Sequence, residues 1–199
     1  MRIGVFGGSY DPPHAAHLQV AHAARNQLQL DTVVWVPAFH PPHKDIPATP
    51  FKHRLGMVSA LVARDPSDEV SDVESFLPPP SYTLHTLRAL KNQFGSEAHS
   101  WHLIIGADNW AIFSSWHQPE AVLAETSLAV YPRQGFSLTG LPKGVTALNC
   151  PEVHLESREY RERLRTDPLS ALAELPLPVA DYIRCHGLYG ISPTSLTPR

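Results

Sequence analysis

A short apolar run, Met1-Arg2-Ile3-Gly4-Val5-Phe6, passes straight into Gly7-Gly8-Ser9-Tyr10-Asp11-Pro12-Pro13-His14-Ala15-Ala16-His17, and no other stretch narrows the possible folds so far. It reads as a strand, a glycine turn and a helix. Gly7 and Gly8 lack Cβ atoms, so the backbone there can turn tightly and approach a ligand closely. The unpaired N–H groups at a helix start favour an anion, phosphate above all. Asp11 suits the N-cap and Pro12 the first helical position. His14 and His17, three apart, are neighbours at that positive end. Two imidazoles so placed can donate hydrogen bonds to phosphate oxygens as charge develops in phosphoryl or nucleotidyl transfer. Glycines after a first strand are weak evidence by themselves; the Asp-Pro pair and the histidine spacing give the stretch its meaning.

The rest of the chain alternates strand and helix. The periodicity predicts a strand over Arg2 to Phe6, then a helix from His14 to Leu28, with Leu18, Ala21, Arg25 and Leu28 on one stripe and Ala24 beside it. Thr32 to Val36 is a β-branched strand ending at Pro37, and a long loop runs from Ala38 to Thr49. A helix beginning near Pro50 shows Phe51, Leu55, Val58 and Leu61 on its apolar face. A short strand is expected over Val70 to Val73. Ser81 is expected to cap a helix carrying Leu84, Leu87, Leu90 and Phe94, with Gly95 as its stop. Strands follow at His102 to Ile105, Leu128 to Tyr131 and near Val153, with helices at Pro119 to Ala124, 157 to 165 and 178 to 186. Of the 20 prolines, ten cluster at 37 to 50, 78 to 80 and 176 to 178, between periodic segments, where they end one element and start the next.

Strands alternating with crossover helices imply an α/β fold: a doubly wound, mainly parallel sheet with a small helical segment at its C-terminal end. We expect one domain over residues 1–189, its helical part at 156–189, and a flexible tail over 190–199. In such sheets ligands bind beyond the carboxyl ends of the strands, where strand order reverses. The glycine turn, Gly106-Ala107-Asp108 and Pro132-Arg133 each follow a strand and should meet at that edge.

A net charge of −3 gives no overall field for gripping a polyanion, so nucleic acid is not an expected partner and phosphate recognition has to be local. Cys150 and Cys185 have no metal-type spacing and are expected to be ordinary thiols. The pairs His14/His17 and His40/His43 lack the accompanying acids of a resident metal site. No apolar run approaches the ~18 residues of a membrane span. A cytoplasmic protein without a membrane partner follows.

With these residues in view, the chain resembles the bacterial nicotinate-nucleotide adenylyltransferase family, part of the nucleotidyltransferase superfamily marked by an H-x-G-H-like signature. The likeness runs from the first strand to His186-Gly187-Leu188-Tyr189. Beyond Gly7 to His17 it rests on Pro41-Pro42-His43-Lys44, His53-Arg54 with Met57, Ser81-Tyr82-Thr83 with Thr86-Leu87, Gly106-Ala107-Asp108-Asn109 with Trp116, and Arg133.

The resemblance implies transfer of an adenylyl group from ATP to nicotinate mononucleotide, giving deamido-NAD and pyrophosphate, with Mg²⁺ carried on the triphosphate. It implies that His14, His17 and Lys44 act on phosphates, and that Gly7, Gly8, Ser9, Gly106, Asp108 and Arg133 hold ATP, Asp108 through a ribose. Tyr82, Thr83, Thr86 and Trp116 fall at mononucleotide-binding positions, with Trp116 as the platform for the pyridine ring. Three departures stand out. Ala16 replaces a usual glycine, and His85 a frequent acid. The C-terminal phosphate-binding signature has two candidates, Ile191 to Thr197 and Leu155 to Arg161. The second keeps a serine and a final arginine, and it lies ahead of a predicted helix. On that choice Ser157, Arg158 and Arg161 contact phosphates, and Glu156 is an awkward neighbour for ATP. The same fold acting on nicotinamide mononucleotide or another phosphate acceptor, or a catalytically weak nucleotide-binding regulator, are the other readings.

Overall fold

The computed structural model describes residues 1–42, 49–63, 65–95, 98–151 and 156–193. Six strands form a single sheet in which every pairing is parallel: β1 (Arg2–Gly8), β2 (Thr32–Pro37), β3 (Asp68–Val70), β4 (Ser100–Gly106), β5 (Ser127–Tyr131) and β6 (Val145–Ala147). Their order is β3-β2-β1-β4-β5-β6. The chain therefore builds outward from β1 to β3, then returns to lay β4 on the other side of β1. Strand order reverses between β1 and β4, so the ends of these two strands open the crevice. Ile3, Val5 and Phe6 in β1 and Val33 to Val36 in β2 are all buried, the pattern of strands covered on both faces.

One face carries α1 (Ala15–Leu28), α2 (Phe51–Val62) and the C-terminal trio α6 (Ser157–Thr166), α7 (Pro168–Glu174) and α8 (Leu177–His186). The other carries α3 (Thr83–Phe94) and α5 (Pro119–Glu125), with the short α4 (Ala107–Ala111) at the end of β4. Among the described residues no helix is long and apolar enough to cross a membrane.

The fold departs from the sequence reading at several points. The first helix starts at Ala15 with His14 as its N-cap, not at Asp11 and Pro12; those two lie in the connecting loop, where distant side chains hold them. Ser81 does not cap α3. Tyr82 does, while the Ser81 hydroxyl accepts from the His40 backbone N–H and ties the helix start to the loop after β2. The short third strand spans Asp68–Val70 instead of Val70 to Val73, because the Asp68 carboxylate is pinned by the Arg25 guanidinium and the Trp35 indole N–H. Val73 opens a 3-10 turn instead. The strand β6 and helices α4 and α7 add to the predicted set. The strand expected near Val153 falls on residues outside the described ones. Gly190 closes the 3-10 turn Leu188–Gly190 and Ile191 packs against the core, so the packed chain runs on past residue 189.

Candidate active site

Two lobes of one cleft open at the ends of β1 and β4, and Gly7, Gly8, Ser9, Pro42, Asn109 and Tyr131 line both. The glycine turn is thus the partition between them. A Cβ on Gly8 would lie 2.9 Å from the Tyr10 ring, and one on Gly106 would collide with the Asp108 carboxylate. Only glycine lets the backbone pass this close.

The first lobe, about 820 Å³, is polar and takes in His14, His17, Asp108, Arg133, Ser157, Arg158 and Arg161. His14 is 4% exposed, and its ring stacks on Tyr160 at 5.3 Å. Burial, then the nearby Arg133 guanidinium, push its pKa down to about 4, so the ring is neutral at physiological pH. The His14 and His17 ring centroids lie 3.9 Å apart. The His17 Nδ1 accepts the His14 backbone N–H at 3.1 Å, which closes the first turn of α1.

Helix α6 arrives from the far end of the chain with its N-terminus at this lobe. The Ser157 hydroxyl donates to the Pro12 carbonyl at 2.9 Å and Arg161 Nη1 donates to the Asp11 carbonyl at 2.7 Å. These two bonds dock the helix onto the turn ahead of His14. Glu156 caps α6 and pairs with Arg133, whose Nε also stands 3.7 Å from Asp108 Oδ1. The acid that looked awkward for a phosphate site therefore has a cationic partner within the site. Arg158 is exposed at the rim.

The second lobe is smaller, about 150 Å³, and drier, walled by Val5, Val36, Leu103, Ile104 and Ile105. Tyr82, Thr83 and Thr86 enter from the first turn of α3, and Trp116 and His117 from the opposite side. Gly106, expected on the ATP side, lines this lobe and not the polar one. Trp116 packs on Phe113 at 5.2 Å while one part of it faces the cleft, so it serves the core and the pocket together. His117 stacks on Tyr82 at 4.2 Å. The Thr86 hydroxyl donates to Glu74 Oε1 at 2.9 Å, and Glu74 Oε2 accepts the Phe39 N–H. Glu74 is buried, which raises its pKa, and it ties the loop after β2 to the first turns of α3.

All the described candidates thus converge on one cleft. Lys44 lies outside the described residues, as does most of the competing stretch Ile191 to Thr197. Three contributors had no role assigned from the sequence. Arg54 is 2% exposed and donates to the Ser9 and Thr49 carbonyls, fixing the turn from beneath. Its signal was a charge one turn from Met57 and Val58 and two turns from Leu61, inside an apolar periodicity. Glu74 gave no comparable signal, and Tyr189 stood out only as the end of the family likeness, because the place of each is defined by a partner distant in the chain.

The profile of the Cytidylyltransferase-like family matches residues 5–171. A Thermus thermophilus protein named "Probable nicotinate-nucleotide adenylyltransferase" is 40% identical over 189 residues, 95% of this chain and 100% of that protein. A Neisseria meningitidis protein of the same name is 34% identical, covering 94% of this chain and 98% of its own. Among solved structures, a Plasmodium falciparum nicotinic acid mononucleotide adenylyltransferase complexed with NaAD superposes with a TM-score of 0.78 at 22% identity, over 96% of this chain and 98% of that one.

Proposed function

The chain belongs to the nicotinate-nucleotide adenylyltransferase family, and from that premise we propose that it joins nicotinate mononucleotide to ATP, forming deamido-NAD and releasing pyrophosphate. The observation that carries this reading is the division of the cleft: a polar lobe with two imidazoles and three guanidiniums meets a dry aromatic lobe across the glycine turn. A triphosphate fits the first and a flat pyridine ring the second.

In this reading the mononucleotide phosphate, a dianion above its second pKa near ~6, attacks the α-phosphorus of ATP in line. A new P–O bond forms there as the bond from the α-phosphorus to the α–β bridging oxygen breaks, and that oxygen leaves with pyrophosphate. The nucleophile needs no activation, so the protein has to align the two substrates and stabilise the charge on the phosphates. The His17 Nδ1 is occupied as an acceptor, so the neutral ring carries its proton on Nε2 and presents a donor. His14 donates beside it. Arg133, Arg158 and Arg161 neutralise the departing pyrophosphate, Lys44 adds a further charge, and Ser157 keeps the α6 N-terminus in place. Asp108 takes the ribose hydroxyls.

Trp116 and Tyr82 offer aromatic faces to an electron-poor ring. The first N–H groups of α3, at Thr83 and beyond, meet the ring carboxylate. Thr86 has given its hydrogen to Glu74, so it supports the helix start in place of donating to substrate. Mg²⁺ travels with the triphosphate as part of the substrate. The donor set fits this: the carboxylates lining the polar lobe already face Arg133, Arg161 and Tyr189, and the phosphates themselves are the natural ligands. The two unpaired thiols, Cys150 and Cys185, suit a reducing cytoplasm as the place of work.

Pyrophosphate release measured with Mg²⁺, ATP and each pyridine mononucleotide tests the reading. Turnover with nicotinate mononucleotide well above that with the amide form is expected. Equal efficiency would remove the preference for the acid, and ATP binding without pyrophosphate release would leave a nucleotide-binding regulator.

A further inference from the structure

The last turn of the described chain reaches back to the loop ahead of His14. Tyr189, in the 3-10 turn Leu188–Gly190, donates its hydroxyl hydrogen to Asp11 Oδ1 at 2.7 Å across 178 residues of sequence. Met57 Sδ lies 3.9 Å from the same hydroxyl. The Tyr189 backbone is left-handed, with φ of 58°, a conformation that a bulky residue holds only when its surroundings impose it. Burial raises the phenol pKa, so the group is a permanent donor at neutral pH.

Asp11 is 1% exposed, and its Oδ2 has no hydrogen-bond partner among the described residues. The nearest cationic atom is Arg161 Nη1, 3.9 Å away, which gives its hydrogen to the Asp11 backbone carbonyl at 2.7 Å. The carboxylate and the guanidinium thus stand side by side in the polar lobe without closing the two-point pair such groups usually form. Arg54, the other cation that Asp11 feels, is committed to the Ser9 and Thr49 carbonyls.

We infer that Tyr189 is a positioning residue: by occupying Asp11 Oδ1 it keeps that carboxylate from closing on Arg161, and so leaves the guanidinium available to the polyphosphate of ATP. Tyr189 lies beyond the residues 5–171 matched by the family profile and does not line the polar lobe, so it reaches that lobe through Asp11 and not by touching substrate. The inference rests on the functional reading above, which places the ATP phosphates in that lobe.

Steady-state kinetics on the full chain test it. Tyr189→Phe raises the KM for ATP about tenfold, the scale of one charge-assisted hydrogen bond, and leaves that for nicotinate mononucleotide within about twofold. In an Asp11→Asn background no charged oxygen competes for Arg161, so adding Tyr189→Phe changes the ATP KM by less than about twofold. The two variants carrying Asp11→Asn lack a stranded buried carboxylate and keep the test available if the single variant fails to fold. Equal rises for both substrates, or a tenfold effect of Tyr189→Phe that persists in the Asp11→Asn background, would overturn the inference. A wild-type protein without turnover would remove the functional reading itself. Normal wild-type turnover with an unaltered Tyr189→Phe removes only the role of Tyr189.

Discussion

The His14 backbone N–H points at His17 Nδ1, 3.1 Å away, and this one bond both closes the first turn of α1 and fixes which ring nitrogen of His17 holds the proton. A backbone N–H can only donate, so Nδ1 accepts and Nε2 is the donor in the neutral ring. On the proposed function, helix geometry and substrate chemistry depend on the same side chain. His17→Ala is expected to lower kcat a few hundredfold, the scale of a lost transition-state donor, and to cost about 1 kcal/mol of stability as a lost cap. His17→Asn restores an acceptor for the turn without the distal donor. Its urea midpoint should return toward wild type while its turnover stays low. Recovery of turnover in the His17→Asn variant would separate His17 from the chemistry.

His14 makes stability depend on pH. Its folded pKa, about 4, is below the unfolded value of 6.5. Between these two pH values the unfolded chain binds the proton and the folded protein does not, so this group's contribution falls as pH drops from 6.5 toward 4. The contribution lost over that window is up to about 3 kcal/mol. Urea unfolding of wild type and His14→Gln at about pH 7, 5.5 and 4.5 checks this, and the variant should lose less stability on acidification. Parallel curves would show that His14 is not held neutral by the fold.

Trp116 divides its surface between Phe113 and the cleft. On the proposed function only the pyridine half of the product stacks there, so Trp116→Ala should raise the KM for the pyridine mononucleotide by about tenfold or more and that for ATP by much less. The opposite pattern would move the indole to the adenylate side.

Glu156 neutralises Arg133 at the mouth of the polar lobe, and its side chain is 55% exposed. A pair so exposed contributes about 0–1 kcal/mol to stability, so Glu156→Gln should unfold within that margin of wild type. Its larger effect is electrostatic. The ATP KM should fall several-fold at low salt, with the difference shrinking as salt is added. An unchanged or raised ATP KM would mean that Glu156 orients Arg133 for the phosphates instead of competing with them.

The parts of this architecture that were legible in the sequence are those built from near neighbours. The strand, glycine turn and histidine helix occupy residues 2 to 28, and their order alone places His14 and His17 beside Gly7 and Gly8. The convergence of Asp108 and Arg133 followed from the rule that strand ends meet at a reversal of order. What escaped depends on contacts between distant segments. Asp11 and Pro12 look like a helix start because locally they suit one; their carbonyls are claimed by Arg161 and Ser157, so the cap moves to His14. Ser81 lost its capping role in the same way, to the backbone of His40. The strand β6 is only three residues, Val145 to Ala147, too short for periodicity to register. Whether Glu156 clashed with phosphate or had a partner depended on Arg133, 23 residues away.

If one cleft holds both halves of the product across the glycine turn, a crystal structure of the protein with deamido-NAD bound shows it most directly. The pyridine ring should lie against Trp116 and Tyr82, with the two phosphates within hydrogen-bond reach of His14, His17 and Arg161. A dinucleotide bound with its phosphates away from those three side chains, or with its pyridine ring outside the aromatic lobe, would contradict it.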